Sequence, residues 1–345
     1  MQHYLDHHAT TPLDPSVAES MAALWGTGFG NPASVEHARG LAAADRVEHA
    51  RQQVASALGA EAREIVFTSG ATEANNMAVL GAARFRRQFE GRDRVVVFET
   101  EHSCVLGAAR ALGGAGFEVV ELGVDAEGFA DLTALEAAVD ERTALVCLML
   151  ANNEVGTLQP VAEATRIAHA KGAWVHSDAA QAAGKLAIDV RALDVDLLSI
   201  SGHKVYGPMG VGALFVRRRP RVRLEPLVHG GGQERGLRAG TLPLPLVAGL
   251  GEALALAQER MMDDATAQAK LRAYALDAMA GSGARFSVNG PGGEGRRLPG
   301  NLSLSFPDIP REALFAAMAD RGVAVSSGSA CSSHDVAPSH VLTAM

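Results

Sequence analysis

Five short apolar runs end in residues able to do chemistry. "EIVFTS" leads into Gly70, Ala71 and Thr72, and "RVVVFET" into Glu101 and His102. "TALVCLML" leads into Asn152, Asn153 and Glu154, and "AWVHS" into Asp178, with Gln181 three residues on. "DLLSI" leads into Ser201, His203 and Lys204. Loops are polar in any protein; what stands out here is an amine, an imidazole, a carboxylate and hydroxyls at the same end of successive strand-like runs. Lysine is almost never buried without a purpose, so Lys204 at the mouth of a buried strand asks for one. "SGATEANN" sets small residues and a threonine hydroxyl at a helix start, where backbone N–H groups can accept an anion. Many strand-to-helix turns share that pattern, so alone it is a weak sign of phosphate. Taken together, a phosphate cradle, an aspartate, a histidine able to stack and a strand-end lysine are what pyridoxal phosphate requires. Its chemistry needs a lysine Schiff base and an acidic partner for the pyridinium nitrogen. The acid keeps that nitrogen protonated, and the lysine, once released, can move protons as a base.

The elements that must carry these residues alternate. From about residue 60, strand-like runs take turns with the helical stretches "ATEANNMAVLGAARFRRQF", "SCVLGAARALGGAG", "LTALEAAVDE" and "VAEATRIAHAKG". The strand runs are continuously apolar, as expected of strands buried on both faces. This pattern predicts an α/β fold with a mostly parallel sheet flanked by helices, whose ligands bind beyond the carboxyl ends of the strands. "DLLSIS" and "GALFVR" have no helix between them, and an antiparallel pair is expected around "GHKVYGPMGV". A long helix is expected from about Leu246 to Met279, followed by a strand-helix-strand set, "NLSLSF", "REALFAAMADRG" and "VAVSS". The glycine-rich "NGPGGEGRRLPG" before that set reads as a mobile loop. The expected division is a large domain over 15–255 and a smaller α+β domain made of 1–14 plus 256–345.

Composition narrows the function classes. The 345 residues are 48% hydrophobic and 20% charged, with a net charge of −8. An acidic chain argues against nucleic acid as the main partner, and the arginine-rich "VRRRPRVR" reads as a solvated strand end. No apolar stretch reaches the ~20 residues needed to span a membrane, and the first residues lack the apolar region of a signal peptide. Three cysteines without CxxC spacing fit a reducing, cytoplasmic setting. His7-His8 has no spacing that completes a metal site, and a structural or site-edge role is expected.

The chain resembles the cysteine desulfurases of the NifS/IscS type, within the class V aminotransferases of PLP fold type I. The motifs run end to end: "YLDHHATTPLDP", "GNPAS", "EIVFTSGATEANN", "ETEH", "NNEVGTLQP", "HSDAAQAAGK", "SGHKVYGPMGVGAL", "HGGGQERGLRAGTLP" and "VAVSSGSAC". The resemblance implies a seven-stranded sheet and a set of roles. Lys204 would hold the cofactor, His102 would stack on its ring, Asp178 would pair with the ring nitrogen and Gln181 would bond the ring oxygen. Ala71, Thr72, Ser201 and His203 would hold the phosphate, and Asn153 the substrate carboxylate. Thr241 would reach the phosphate of a partner subunit, which implies a homodimer.

The cysteines separate. Cys147 reads as a small buried hydrophobe. Cys104 starts a helix beside His102 and is expected to be structural. Cys331 follows the small residues "SSGSA", and nothing there asks for a core residue. In the family the matching thiol takes the sulfur of L-cysteine as a persulfide and L-alanine leaves. The "SSGSAC" form resembles the longer-loop subgroup, which hands sulfur to scaffold or carrier proteins for iron–sulfur assembly or tRNA thiolation. The family continues for several dozen residues past the "PSHVL" helix and carries there an arginine that grips the substrate carboxylate. The expectation for this chain, which stops at Met345, is a truncated or divergent form that binds cofactor and turns over poorly. The alternatives are a selenocysteine lyase, another class V PLP enzyme, or a PLP-fold scaffold without activity.

Overall fold

The computed structural model describes residues 3–328 and 339–345. The chain opens with β1 (His3–Tyr4), α1 (Pro15–Trp25) and α2 (Ala38–Leu58), then alternates: β2 (Ile65–Thr68), α3 (Ala71–Glu90), β3 (Arg94–Phe98), α4 (Ser103–Gly114), β4 (Glu118–Leu122), α5 (Leu132–Ala138), β5 (Thr143–Cys147), α6 (Val161–Ala170) and β6 (Trp174–Asp178). Two strands without an intervening α-helix follow, β7 (Leu197–Ser201) and β8 (Gly212–Val216), then the long α7 (Leu244–Gly281). The remainder is β9 (Ser287–Val288), β10 (Leu304–Ser305), α8 (Arg311–Asp320), β11 (Val323–Ala324) and α9 (His340–Ala344).

The main sheet has seven strands in the order β2-β8-β7-β6-β5-β3-β4. It is parallel from β7 to β4, and β8 runs antiparallel to both β7 and β2, so the expected antiparallel pair is present. Alternate residues of each strand enter opposite layers. Phe67, Val96, Val146, Leu198 and Phe215 join one core with α1, α2 and α7, whereas Val66, Val95, Leu145, Leu197 and Leu214 join the other with α3 and α4. Each fully buried Val, Leu, Ile or Phe contributes about 1.5–3 kcal/mol. These layers therefore outweigh any single polar contact at the rim, and rim geometry follows the sheet.

The small elements form two separate pairs: β1 lies parallel to β11, with His3 opposite Val323, and β9 lies antiparallel to β10. Among the described residues no helix is long and apolar enough to cross a membrane.

Two expectations need correction. The "NGPGGEGRRLPG" loop is pinned in its second half: Leu298 is fully buried and its N–H donates to Gly156 O at 2.9 Å, and Leu158 N–H donates to Arg296 O at 3.0 Å. The apolar Leu298 and the Gly156 carbonyl supply what glycine content cannot reveal. The arginine run is not wholly solvated either. Arg217 is buried, pairs with Asp194 at 2.6 Å and donates from Nε to Val195 O at 3.0 Å.

At the amino ends of β6 and β7, His169 Nε2 meets Asp196 Oδ2 at 2.8 Å, and the same oxygen accepts Val175 N–H at 2.8 Å. The hydrogen bond to Asp196 raises the His169 pKa above the ordinary 6.5. A raised histidine stabilises the fold in full below its unfolded value and loses that contribution as pH rises through its folded value. His169→Gln should therefore lose more stability against wild type at about pH 6 than at about pH 9, read from urea midpoints. Equal losses at both would show that the pair carries no ionic component.

Candidate active site

A cavity of about 460 Å³ opens at the carboxyl ends of the parallel strands. Its size is within the range of small-molecule and cofactor sites. Ala71, Thr72, His102, Asn153, Asp178, Gln181, Ser201, His203 and Lys204 all line it. Sheet geometry brings them together, because β2, β3, β5, β6 and β7 release their polar residues at one rim.

The helix α3 begins at this rim with Gly70 as N-cap and no side-chain cap. Its first N–H groups are oriented toward the cavity end of the helix dipole. Gly70 sits at φ 152°, and a Cβ there would enter open space. A Cβ on Gly212 would instead come within 2.8 Å of Gly70 Cα, so glycine permits β8 to press the turn into place. With the hydroxyls of Thr72 and Ser201, this makes a donor cradle suited to a phosphate.

Asp178, buried at the end of β6, is held by two donors: Ala180 N–H to Oδ1 at 2.8 Å and Asn75 Nδ2 to Oδ2 at 2.6 Å. His102 caps α4, its Nδ1 accepting Cys104 N–H at 3.3 Å. An accepting Nδ1 places the ring proton on Nε2, and burial lowers the His102 pKa. Cys104 Sγ lies 2.9 Å from the same Nδ1 and lines the cavity. The helix start does not activate it: burial pushes this thiol up to about 12, so it stays S–H. Cys147 is fully buried in the sheet. Glu101, also fully buried, accepts Met149 N–H, and burial pushes its carboxyl up to about 8.

Lys204 lies on a single 3-10 turn, Gly202–Lys204, that continues β7. Its Nζ donates to the carbonyls of His8 and of Ala9, the latter at 2.9 Å. Those carbonyls belong to an N-terminal strap. Thr11 N–H and Oγ1 both donate to His203 O (2.9 and 3.0 Å), and Thr11 Oγ1 accepts Tyr206 N–H at 2.7 Å. The strap secures a strained turn, since Tyr206 sits at φ 58°, a conformation costing on the order of 1–3 kcal/mol for a bulky residue. His203, half-buried, meets Thr10 Oγ1 at 3.1 Å, and burial with the Lys204 and Lys185 charges pushes it down to about 4. His8 also lines the cavity. Its Nδ1 meets Asn153 O at 3.0 Å, and burial first, then the charge of Lys185, pushes it to about 3. Sequence reasoning assigned His7-His8 a structural or site-edge role, and His8 does line the cavity, but it assigned none to Thr10, Thr11, Asn75 or Lys185. One overlooked signal is that the chain has only four lysines, of which Lys204 lines this cavity and Lys185 reaches Gln181 on its wall.

Thr241 does not reach this cavity within one chain. It is exposed and lines a separate hollow with Phe29, Asn31 and His37. Cys331 lies outside the described residues.

The chain folds as a seven-stranded α/β sheet that places a lysine, an aspartate and an uncapped helix start at one rim, an architecture shared with solved NifS-like proteins. The chain belongs to the class-V aminotransferase family, whose model matches residues 3–345; that family in general uses pyridoxal phosphate. It is 46% identical over 342 residues to a cysteine desulfurase IscS of Rickettsia bellii, covering 99% of this chain and 82% of that one. It is 48% identical over 342 residues to the cysteine desulfurase of Homo sapiens, covering 74% of the latter. A solved NifS-like protein superposes with a TM-score of 0.91 at 38% identity, over all of this chain and 89% of that one. SspA, solved in complex with cysteine, superposes at 0.83 and 37% identity, over 99% of this chain and 94% of that one.

The strap makes a direct prediction. Thr11→Val removes the acceptor of Tyr206 N–H without changing side-chain size and should cost about 1–3 kcal/mol in urea unfolding. A loss within error of zero would show that the Lys204 turn holds itself.

Proposed function

We propose that this chain is a pyridoxal-phosphate-dependent cysteine desulfurase that converts L-cysteine to L-alanine and takes the sulfur as a persulfide on Cys331. The observation that carries the reading is the meeting of Lys204, Asp178 and the uncapped start of α3 in one cavity. Similarity to cysteine desulfurases over nearly the whole chain supports it. When bound, pyridoxal phosphate supplies an electron sink that labilises bonds at the substrate carbons.

The chain's own residues do the rest. Lys204 Nζ would hold the cofactor and afterwards carry a proton. Asp178, fixed at both oxygens by Ala180 and Asn75, would face the ring nitrogen. His102 would cover the ring and can lend the proton on Nε2. Gln181 would offer a donor to the ring oxygen. Ala71, Thr72, Ser201 and His203 would bind the phosphate, and Asn153 would position the substrate carboxylate. The atoms balance: a C–S bond of L-cysteine breaks, an S–S bond forms on the Cys331 thiol, and L-alanine leaves with the protons of both thiols redistributed between it and the persulfide.

The active unit is proposed as a homodimer. Exposed Thr241 lies by a hollow whose Phe29 is also exposed, with exposed Trp25 and Val35 nearby in sequence, a surface suited to a second copy whose phosphate Thr241 would reach. Sulfur would pass from Cys331 to an acceptor protein of iron–sulfur assembly or tRNA thiolation, in the cytoplasm.

The deciding assay is L-alanine formation from L-cysteine with added cofactor and a thiol reductant; no alanine from a cofactor-loaded chain overturns the reading. Lys204→Ala should lose the visible absorption of lysine-bound cofactor, and a variant that keeps it unchanged removes Lys204 from its role. Cys331→Ser should keep that absorption while alanine formation falls by about 10²-fold or more. Wild-type turnover in it would show that another group accepts the sulfur.

A further inference from the structure

Lys185 is a second lysine at the site, and the mechanism above does not use it. Gly184, at φ 72°, turns the chain immediately before it, where a Cβ would collide with Val205. Lys185 thereby returns toward Gln181, four residues back, and its Nζ donates to Gln181 Oε1 at 3.0 Å. The other end of that amide, Nε2, donates to His8 O at 2.8 Å. An amine has only donors and a carbonyl only acceptors, so both contacts demand the same orientation of the amide. Gln181 is buried and lines the cavity.

We propose that Lys185 is a positioning residue that pins Gln181 Oε1, so that the amide presents N–H and not C=O to an acceptor in the cavity. Under the proposed function, on which this assignment rests, that acceptor is the ring oxygen of pyridoxal phosphate. An N–H directed at that oxygen favours its anionic form, and a reversed amide would oppose it. Burial, aided by the Lys204 charge, pushes the Lys185 amine down to about 7; charged or neutral, it still donates N–H to Gln181. The other titratable groups that respond to its charge are His8 and His203, both pushed well below neutrality.

The test is a pH titration of the visible band of the cofactor-loaded full chain, with cofactor affinity measured alongside. Lys185→Met should raise the titration midpoint by about one pH unit and weaken cofactor binding about tenfold. Lys185→Arg, which keeps a donor and a charge, should restore most of both. In a Gln181→Ala background, Lys185→Met should add less than half of its shift, because residues acting as one unit are not additive. The same shift with and without Gln181 would overturn the positioning role in favour of charge alone, and no shift would overturn it outright. Should Lys185→Met fail to fold by circular dichroism, Lys185→Gln, uncharged and shorter, takes its place in the same cycle. A wild-type chain that develops no visible band overturns the cofactor reading and this assignment together; a wild-type band with an unmoved variant overturns only the role of Lys185.

Discussion

A strand buried on both faces can offer chemistry only at its end. That constraint organises this molecule. β5, β6 and β7 lie side by side in parallel, so their polar exits share one rim. β8 runs the other way between β7 and β2, and its first residue, Gly212, stands between Ser201 and Thr68 in register. The Lys204 turn, the Asp178 carboxylate and the start of α3 thus share one supporting surface. None of them needs a loop to find the others.

Burial then decides which groups carry charge. His8, His203 and His102 are all lowered, and Glu101 is raised to about 8. At neutral pH the histidines and Glu101 are mainly uncharged. A ligand entering the cavity meets oriented dipoles in a low-dielectric setting, which is where preorganised donors do most for binding and catalysis. The half-buried thiol of Cys104 follows the same logic: its place beside His102 makes it a fixed neighbour, not a nucleophile.

Long-range polar ties fasten the remaining segments to the sheet. Arg51 pairs with Glu234 through two 2.8 Å contacts, and Glu234 also accepts Phe67 N–H. Glu234 and Arg235 both adopt positive φ, so the loop that leads to Thr241 holds its shape through a buried carboxylate. Removing one partner of such a pair leaves a buried charge without compensation, which costs more than the pair itself contributes. Glu73 with Arg238, and Glu154 with Ser339, tie further segments to the same rim.

Much of this was legible in the linear chain. Continuous apolar runs alternating with amphipathic stretches dictate a parallel sheet, and the residues just after those runs, from Thr72 to Lys204, must then fall at its rim. Partnership across distance was not legible. Lys204 meets carbonyls almost two hundred positions away, at His8 and Ala9, and Glu234 meets Arg51 across a comparable span. Nothing in "HHATT" or "GGQERG" announces a strap or a buried anchor, and the apolar Leu298 inside a glycine-rich loop hid a fixed segment. Periodicity records which face of an element is buried, so the sequence by itself determined the layers and where chemistry could emerge. Burial and hydrogen-bond geometry exist only once the chain has closed on itself, so tertiary structure alone decided which groups are neutral, which amide faces inward and which loops are held.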